Sequence, residues 1–174
     1  VERLQTLSNE IKTGNKKGKL EEELVSVTQV DVFSFLTKGL SEIEQEMKKS
    51  NLSIKLNLSK SKINVNADEN LLWRAFENLI KDVFKHAETG TNVYIKIAEK
   101  EGCGLITIIN EIKKDELDKM KLSNEEFEKK YLQDPLNKTS LTTAKELVEL
   151  QGGALKVRIN NNSFEAVIML KECE

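Results

Sequence analysis

The sequence predicts an α+β domain: a two-layer α/β sandwich, with a mostly antiparallel sheet of about five strands and three main helices on one face. Two periodicities carry this expectation. Apolar residues recur at helical spacing in three stretches, and they alternate with polar residues in a series of shorter ones. Helices gathered on one side of such a sheet enclose a single core between two layers. The chain has 174 residues, 39% hydrophobic and 32% charged, enough for one such core beneath a well-solvated surface.

Along the chain, Leu4, Leu7 and Ile11 form a stripe at 3–4 spacing, suited to the end of a helix that packs on another. The run Gly14-Asn15-Lys16-Lys17-Gly18 breaks it and reads as a linker. Asp31 is a plausible N-cap for a helix that buries Leu36, Leu40, Ile43 and Met47 and stops at Asn51. Ile54, Leu56 and Leu58 alternate as a strand, and Ile63 and Val65 make a short one. Asp68 caps the strongest helix, whose buried face is Leu72, Phe76, Leu79, Ile80, Val83 and Ala87. Its other side carries Arg74, Asn78, Lys81, Asp82 and Lys85, a polar stripe that by itself reads as a solvated face. Val93, Ile95 and Ile97 alternate, and a Gly102-Cys103-Gly104 turn joins them to the apolar strand Leu105–Ile109. Residues 111–139 are charged and irregular, with short helices expected around Leu117 and Phe127. Leu141, Ala144, Leu147 and Val148 mark a last helix, stopped by Gly152-Gly153. A closing hairpin follows, from Leu155, Val157 and Ile159 through Asn160-Asn161-Asn162 to Phe164, Ala166, Ile168 and Leu170.

Composition removes several function classes. The net charge is −2 with lysines and acids interspersed, so nucleic acid is not an expected partner. No apolar run approaches the roughly 18 residues of a membrane helix, and no signal peptide is evident. Cys103 and Cys173 are far apart, which suits a reducing compartment better than a disulfide framework. No CxxC, zinc spacing or nucleophile triad is present. The chain opens within a helical pattern and without methionine, which reads as a piece of a longer protein.

Three stretches carry a resemblance. Residues Ala67 to His86, with Ala67-Asp68, Asn78-Leu79-Ile80 and Lys85-His86, resemble the asparagine box of histidine kinases, which runs ADxxxL and then NLLxNAxKH. Residues Ala144 to Gly153 resemble the AKxLVELQGG helix after the same family's glycine-rich box. Leu4-Gln5-Thr6-Leu7 and the linker are similar to the tail of a dimerisation helix. The chain thus resembles, over essentially its whole length, the catalytic and ATP-binding domain of a bacterial two-component sensor histidine kinase. That resemblance implies a Bergerat-type ATPase fold over residues 19–174, with residues 1–18 as the end of the dimerisation helix and linker.

The resemblance also implies ATP and magnesium as cofactors, with the γ-phosphoryl group passed to a histidine by positioning and charge neutralisation. The residues it assigns to the nucleotide are Asn78, Asp82, Lys85, Asn110, Lys138 and Thr139, with Asn78 and Asp82 toward magnesium; none is assigned a catalytic role. His86, the only histidine, matches the end of the box and is read as structural, because the family's phosphoacceptor lies on an earlier helix. Implied partners are the dimerisation and phosphoacceptor domain of the parent chain and a response regulator. The implied setting is the cytoplasmic side of a parent anchored in the cell membrane, with no membrane contact by this part.

Three departures weaken the nucleotide site. Asp82 stands where the family has asparagine and adds negative charge near a triphosphate. Asn110 replaces an aspartate and still offers an acceptor, but Asn110-Glu111-Ile112-Lys113-Lys114 lacks the DxGxG glycines. The family's GSGLGLSI falls on Leu136-Asn137-Lys138-Thr139-Ser140-Leu141-Thr142-Thr143, with every glycine lost. Those glycines let backbone N–H groups wrap phosphate at a helix start. The hydroxyls of Thr139, Ser140, Thr142 and Thr143 are able to cap the helix instead. Tyr131 takes the place of the lid phenylalanine, and only Leu132-Gln133-Asp134-Pro135 separate it from the altered box, so the lid is short. The expectation is weak or lost ATP binding and no activity from this part alone. The alternative is a non-catalytic pseudokinase module that binds a partner kinase or regulator. An anti-sigma-factor kinase of the same fold fits the leading helix and linker less well.

Overall fold

A computed structural model describes residues 25–58, 62–117, 123–133 and 139–173. The leading stripe of Leu4, Leu7 and Ile11, the linker and the boundary at residue 18 lie outside the described residues. In order, the elements are β1 Thr28–Asp31, α1 Val32–Lys49, β2 Ser53–Asn57, β3 Asn64–Ala67, α2 Glu69–His86, β4 Asn92–Lys100 and β5 Cys103–Glu111. Then come two short helices, α3 Lys114–Leu117 and α4 Asn124–Glu128, and a π-helical turn Lys129–Gln133. Helix α5 Ser140–Leu150 and the hairpin β6 Ala154–Asn160 and β7 Ser163–Lys171 complete the chain.

The main sheet has five strands in the order β2-β4-β5-β7-β6, antiparallel except for the β2–β4 pair. Period-2 alternation places Val93, Ile95 and Ile97, Ile106 and Ile108, Leu155 and Val157, and Ala166, Ile168 and Leu170 on the inner face. They share one core with the apolar faces of α1, α2 and α5. The expected two-layer α+β sandwich with three main helices is therefore the observed one.

Each main helix starts at a polar cap. The Asp31 carboxylate accepts from Phe33 N at 3.0 Å and Ser34 N at 3.3 Å. Asp68 Oδ1 accepts from Asn70 N at 3.1 Å and Leu71 N at 3.2 Å. These bonds satisfy first-turn donors that have no partner within the helix. Buried Asp68 does more than cap. Its Oδ2 accepts from Ser26 N at 2.8 Å, and its own N–H donates to Gln151 Oε1 at 3.0 Å. Gln151 Nε2 in turn donates to Leu147 O at 2.9 Å. The start of α2 and the end of α5 are tied together through this buried junction.

Three details differ from the sequence expectation. The strand around Ile63 and Val65 leaves the main sheet and pairs antiparallel with β1, which the sequence reading did not foresee. Only Val30 of β1 is buried, so four residues present no alternation to detect. The β4–β5 turn is Glu101-Gly102, with φ of 53° and 74°, and Cys103 and Gly104 already belong to β5. Cys103 and Cys173 are free thiols. Among the described residues, no helix is long and apolar enough to cross a membrane.

After α5, the glycine pair has two separate uses. Gly152 takes the left-handed conformation at φ 83°, whereas Gly153 is small because a Cβ there would lie 2.7 Å from Met169 O. Gly153→Ala is therefore expected to destabilise the domain by about 1–3 kcal/mol through overpacking between α5 and β7. Urea denaturation checks this; an unchanged midpoint would contradict it.

Candidate functional site

A cavity of about 470 Å³ opens between the carboxyl half of α2, the end of β5, the π-helical turn and the start of α5. Its polar lining includes Asp82, Lys85, His86, Asn110, Thr139 and Ser140. Val83, Ile112, Phe127, Tyr131, Leu141 and Phe164 make its apolar and aromatic part. The spacing of Asp82, Lys85 and His86 on α2 puts all three on the side facing the segment between residues 110 and 140.

Of the six residues assigned from sequence to the nucleotide, four meet here: Asp82, Lys85, Asn110 and Thr139. Asn78 sits one turn earlier on α2, half-buried, and is not among the residues lining the cavity. Lys138 lies outside the described residues. No group of three His, Cys, Asp or Glu side chains placed to hold a metal occurs among the described residues.

The floor of the cavity is the end of β5. Asn110 is 2% exposed, its Nδ2 donates to Glu111 O at 3.2 Å, and its Oδ1 is buried without a protein partner. A carbonyl oxygen can only accept, so it is the amide nitrogen that must face Glu111, and the oxygen remains as an acceptor.

The start of α5 is closed on itself. Thr139 and Thr142 form a capping box: Thr142 N donates to Thr139 Oγ1 at 3.3 Å, and Thr139 N donates to Thr142 Oγ1 at 3.4 Å. Both hydroxyls also reach Tyr131 O, at 3.2 Å from Thr139 and 2.9 Å from Thr142. The π-helical turn is thereby fastened over α5. Tyr131 stacks on Phe127 at a 4.6 Å centroid distance, and Phe127 meets Phe164 edge-on at 6.3 Å.

One charged pair forms at the cavity wall. The His86 ring Nδ1 lies 2.7 Å from Glu116 Oε2, joining the end of α2 to α3. Burial pushes the Asp82 carboxyl above the usual carboxylate range, opposed by the nearby Ser140 hydroxyl and by the charges of His86 and Lys85. Lys113 Nζ donates to Lys85 O at 3.0 Å, a cation at the carbonyl end of α2.

For an adenine nucleotide with magnesium, the two halves of this cavity differ in fit. The orphaned Asn110 oxygen and the aromatic walls suit a flat base bearing an N–H donor. The phosphate end does not fit. Residues 130–143 contain no glycine, the capping box takes the Thr142 amide, and the Asp82 carboxyl adds an acidic group to the lining. Sequence reasoning did not find the His86–Glu116 pair, the approach of Ser140 to Asp82 or the role of Phe164. Each joins residues far apart in the chain, so no local spacing signals it.

Asp82 yields a pH test. Its native pKa is raised, so its contribution to stability is fully present below the unfolded value of 3.8 and is lost as pH rises through the native value. Asp82→Asn removes the buried charge and keeps an acceptor for Ser140. The variant is expected to melt higher than the wild type at pH 7, with the difference vanishing below pH 3.8. Calorimetric melting across that range measures it; a gain that persists at low pH would contradict it.

By sequence alone, no family profile and no curated protein matches the chain. Solved structures do match by shape. Histidine kinase AdeS of Acinetobacter baumannii superposes with a TM-score of 0.69 at 14% identity, covering 99% of this chain and 77% of that one. Histidine kinase ThkA in complex with response regulator protein TrrA gives 0.70 at 14% identity, covering 99% of this chain and 48% of that one. Full-length ShkA in complex with AMPPNP gives 0.64 at 15% identity, covering 98% of this chain and 36% of that one. The chain spans about half of ThkA and about a third of ShkA. Its described elements, in their order and pairing, make up the fold of histidine kinase catalytic domains.

Proposed function

We propose that this chain is the catalytic and ATP-binding domain of a two-component sensor histidine kinase in which the nucleotide site is degenerate. One observation carries the reading. In a fold shared with histidine kinases, the cavity at the end of the asparagine-box helix keeps a base-facing acceptor, Asn110, and a threonine capping box closes its phosphate end. Asp82, Lys85, Asn110 and Thr139 would form the remaining nucleotide contacts, with Asn78 and Lys138 as further candidates and Asn78 and Asp82 toward magnesium. Residues 1–18 would be the end of the dimerisation helix and linker, and residues 19–174 the ATPase domain.

The parent would carry the phosphoacceptor histidine on its dimerisation helix and pass phosphate to a response-regulator aspartate. The solved complex of ThkA with TrrA supports a regulator as partner. The AMPPNP complex of ShkA supports ATP as the ancestral ligand. The reading places this domain in the cytoplasm, with the parent anchored in the cell membrane. The capping box favours a second reading, a pseudokinase module that has kept the fold to bind a partner kinase or regulator.

Losing two charge-assisted hydrogen bonds, at about 1.5–3 kcal/mol each, weakens binding by roughly two to four powers of ten. Calorimetric titration of magnesium–ATP at physiological magnesium is therefore expected to give a dissociation constant in the millimolar range or no heat. A micromolar constant would remove the degenerate-site reading. Incubation of this chain with labelled ATP is expected to leave it unlabelled, His86 included; acid-labile label on His86 would contradict its structural role. Labelling of the dimerisation helix in the parent chain would favour the catalytic reading over the pseudokinase one.

A further inference from the structure

We infer that the outer face of the sheet is a docking surface for an acidic, amphipathic helix of a partner protein, laid along the strands between two flanks of cations. The cavity lies on the other side of the sheet, among the helices, so the inference does not rest on the nucleotide reading.

The first observation is an apolar stripe that the three main helices do not cover. A sheet with one solvated face normally alternates apolar and polar side chains. Strands β5 and β7 depart from this. Alternating with the buried Ile106, Ile108 and Ile168, their outward residues include Leu105, Ile109, Val167 and Met169. These four are partly buried, yet they belong neither to the core nor to the side chains packed against it. Leu105 pairs with Met169 and Thr107 with Val167, so the stripe runs along the centre of the sheet. Tyr94 stands opposite Ile109 and is 43% exposed. Apolar residues on both faces of a strand are the pattern of a strand covered on both sides.

The second observation is charge. On the same face, Lys55, Lys96 and Lys100 project from β2 and β4, and Lys156, Arg158 and Lys171 from β6 and β7. The outward acids of these strands are Glu111 and Glu165, and Arg158 already holds Glu165 at 2.9 Å. No ion pair among the described residues engages Lys55, Lys96, Lys100, Lys156 or Lys171. A chain of net charge −2 thus gathers positive charge around an uncovered apolar stripe, which selects a negatively charged partner. A second copy would bring the same cations to the interface, so a symmetric dimer through this face is disfavoured.

The third observation is dimension. Register puts Lys96, Thr107, Val167 and Lys156 in one row across β4, β5, β7 and β6. With strands about 4.8 Å apart, the two lysines stand roughly 14 Å apart on either side of the stripe. A helix about 10–12 Å across fits between them. From Tyr94 to Lys100 the face runs about 20 Å, the length of a helix of about 13 residues. Carboxylates on both flanks of such a helix would meet both rows of lysines, and its apolar edge would cover the stripe. Among the described residues, the face exposes one aromatic ring, Tyr94, too few to stack successive bases or to anchor in lipid headgroups.

The test uses the full chain and a synthetic peptide of about 14 residues, with leucine along one edge and glutamate on both flanks. Fluorescence anisotropy of the labelled peptide is expected to show saturable binding below about 100 µM at low salt, weakened at least about tenfold by about 0.5 M salt. The same peptide with lysine for each glutamate is expected not to bind. Lys96→Glu with Lys156→Glu is expected to weaken binding by about tenfold or more with an unchanged melting temperature. Should that pair perturb the fold, Lys96→Gln with Lys156→Gln removes charge alone and is expected to weaken binding by about threefold or more. Tyr94→Ser is expected to weaken it as well, because the ring adjoins the stripe. The inference is overturned if the acidic peptide does not bind at millimolar concentration, if the lysine peptide binds equally, or if neither lysine pair changes the affinity. It is overturned equally if vesicles of phosphatidylglycerol or a single-stranded oligonucleotide bind this face more tightly than the peptide, which would assign the cations to a membrane or to nucleic acid. A dimer in sedimentation that the lysine variants abolish would assign the face to a second copy and overturn it too.

Discussion

Helix α5 is tied to α2 through a buried polar junction, and the rest of the molecule is arranged around that constraint. At the end of α5, Gln151 accepts from the backbone N–H of buried Asp68, the residue that caps α2. At its start, Ser140 lines the same cavity as Asp82, near the far end of α2. Along the pair, Leu141, Ala144, Leu147 and Val148 pack into the same core as Leu72, Ala75, Phe76 and Leu79. The two helices cannot slide or splay without breaking the buried junction, which costs more than breaking an exposed contact. The sheet then needs only to present its inner face to the pair. The cavity is the space left where α2, α5 and the end of β5 diverge.

This arrangement shapes what the cavity is able to bind. Several polar groups near the start of α5 are committed to the protein itself: Thr139 and Thr142 to each other and to Tyr131 O, and His86 to Glu116. Among the described residues lining the cavity, the buried side-chain acceptor left without a protein partner is the Asn110 oxygen. The proposed functional reading follows from this asymmetry. On that reading, the Asn110 side of the cavity would be the base end of a nucleotide site, and the helix start that would cradle phosphate is occupied by its own threonine side chains. Without glycine in residues 130–143, the backbone there has little access to the left-handed conformations that aim several N–H groups at one anion.

Much of this was legible before the structure. Leu72 to Ala87 at 3.6 spacing, and the alternation in Val93–Ile97 and Ala166–Leu170, placed the core face of each element correctly. Asp31, Asp68 and Thr139 were readable as caps because an N-cap needs only its own following backbone. Strand β1 was not readable, since its four residues bury one side chain and derive their order from β3. Within the site, the resemblance drew Asn78, Asp82 and Lys85 from one polar stripe of α2; Asp82 and Lys85 line the cavity, and Asn78 lies a turn away from it. The His86–Glu116 pair closes across separate elements. No spacing within one segment encodes such contacts.

The central claim is that the start of α5 is spent on its own threonine capping box and does not engage phosphate. The backbone amide of Thr142 reports on this directly, because its donor is the one the box uses. Its ¹⁵N–¹H resonance, followed while magnesium–ATP is raised into the millimolar range, is the most direct measurement. The account predicts that this resonance stays in place. A saturable shift of the Thr142 amide, with those of Ser140 and Leu141, would show that the helix start opens to bind phosphate and would contradict it.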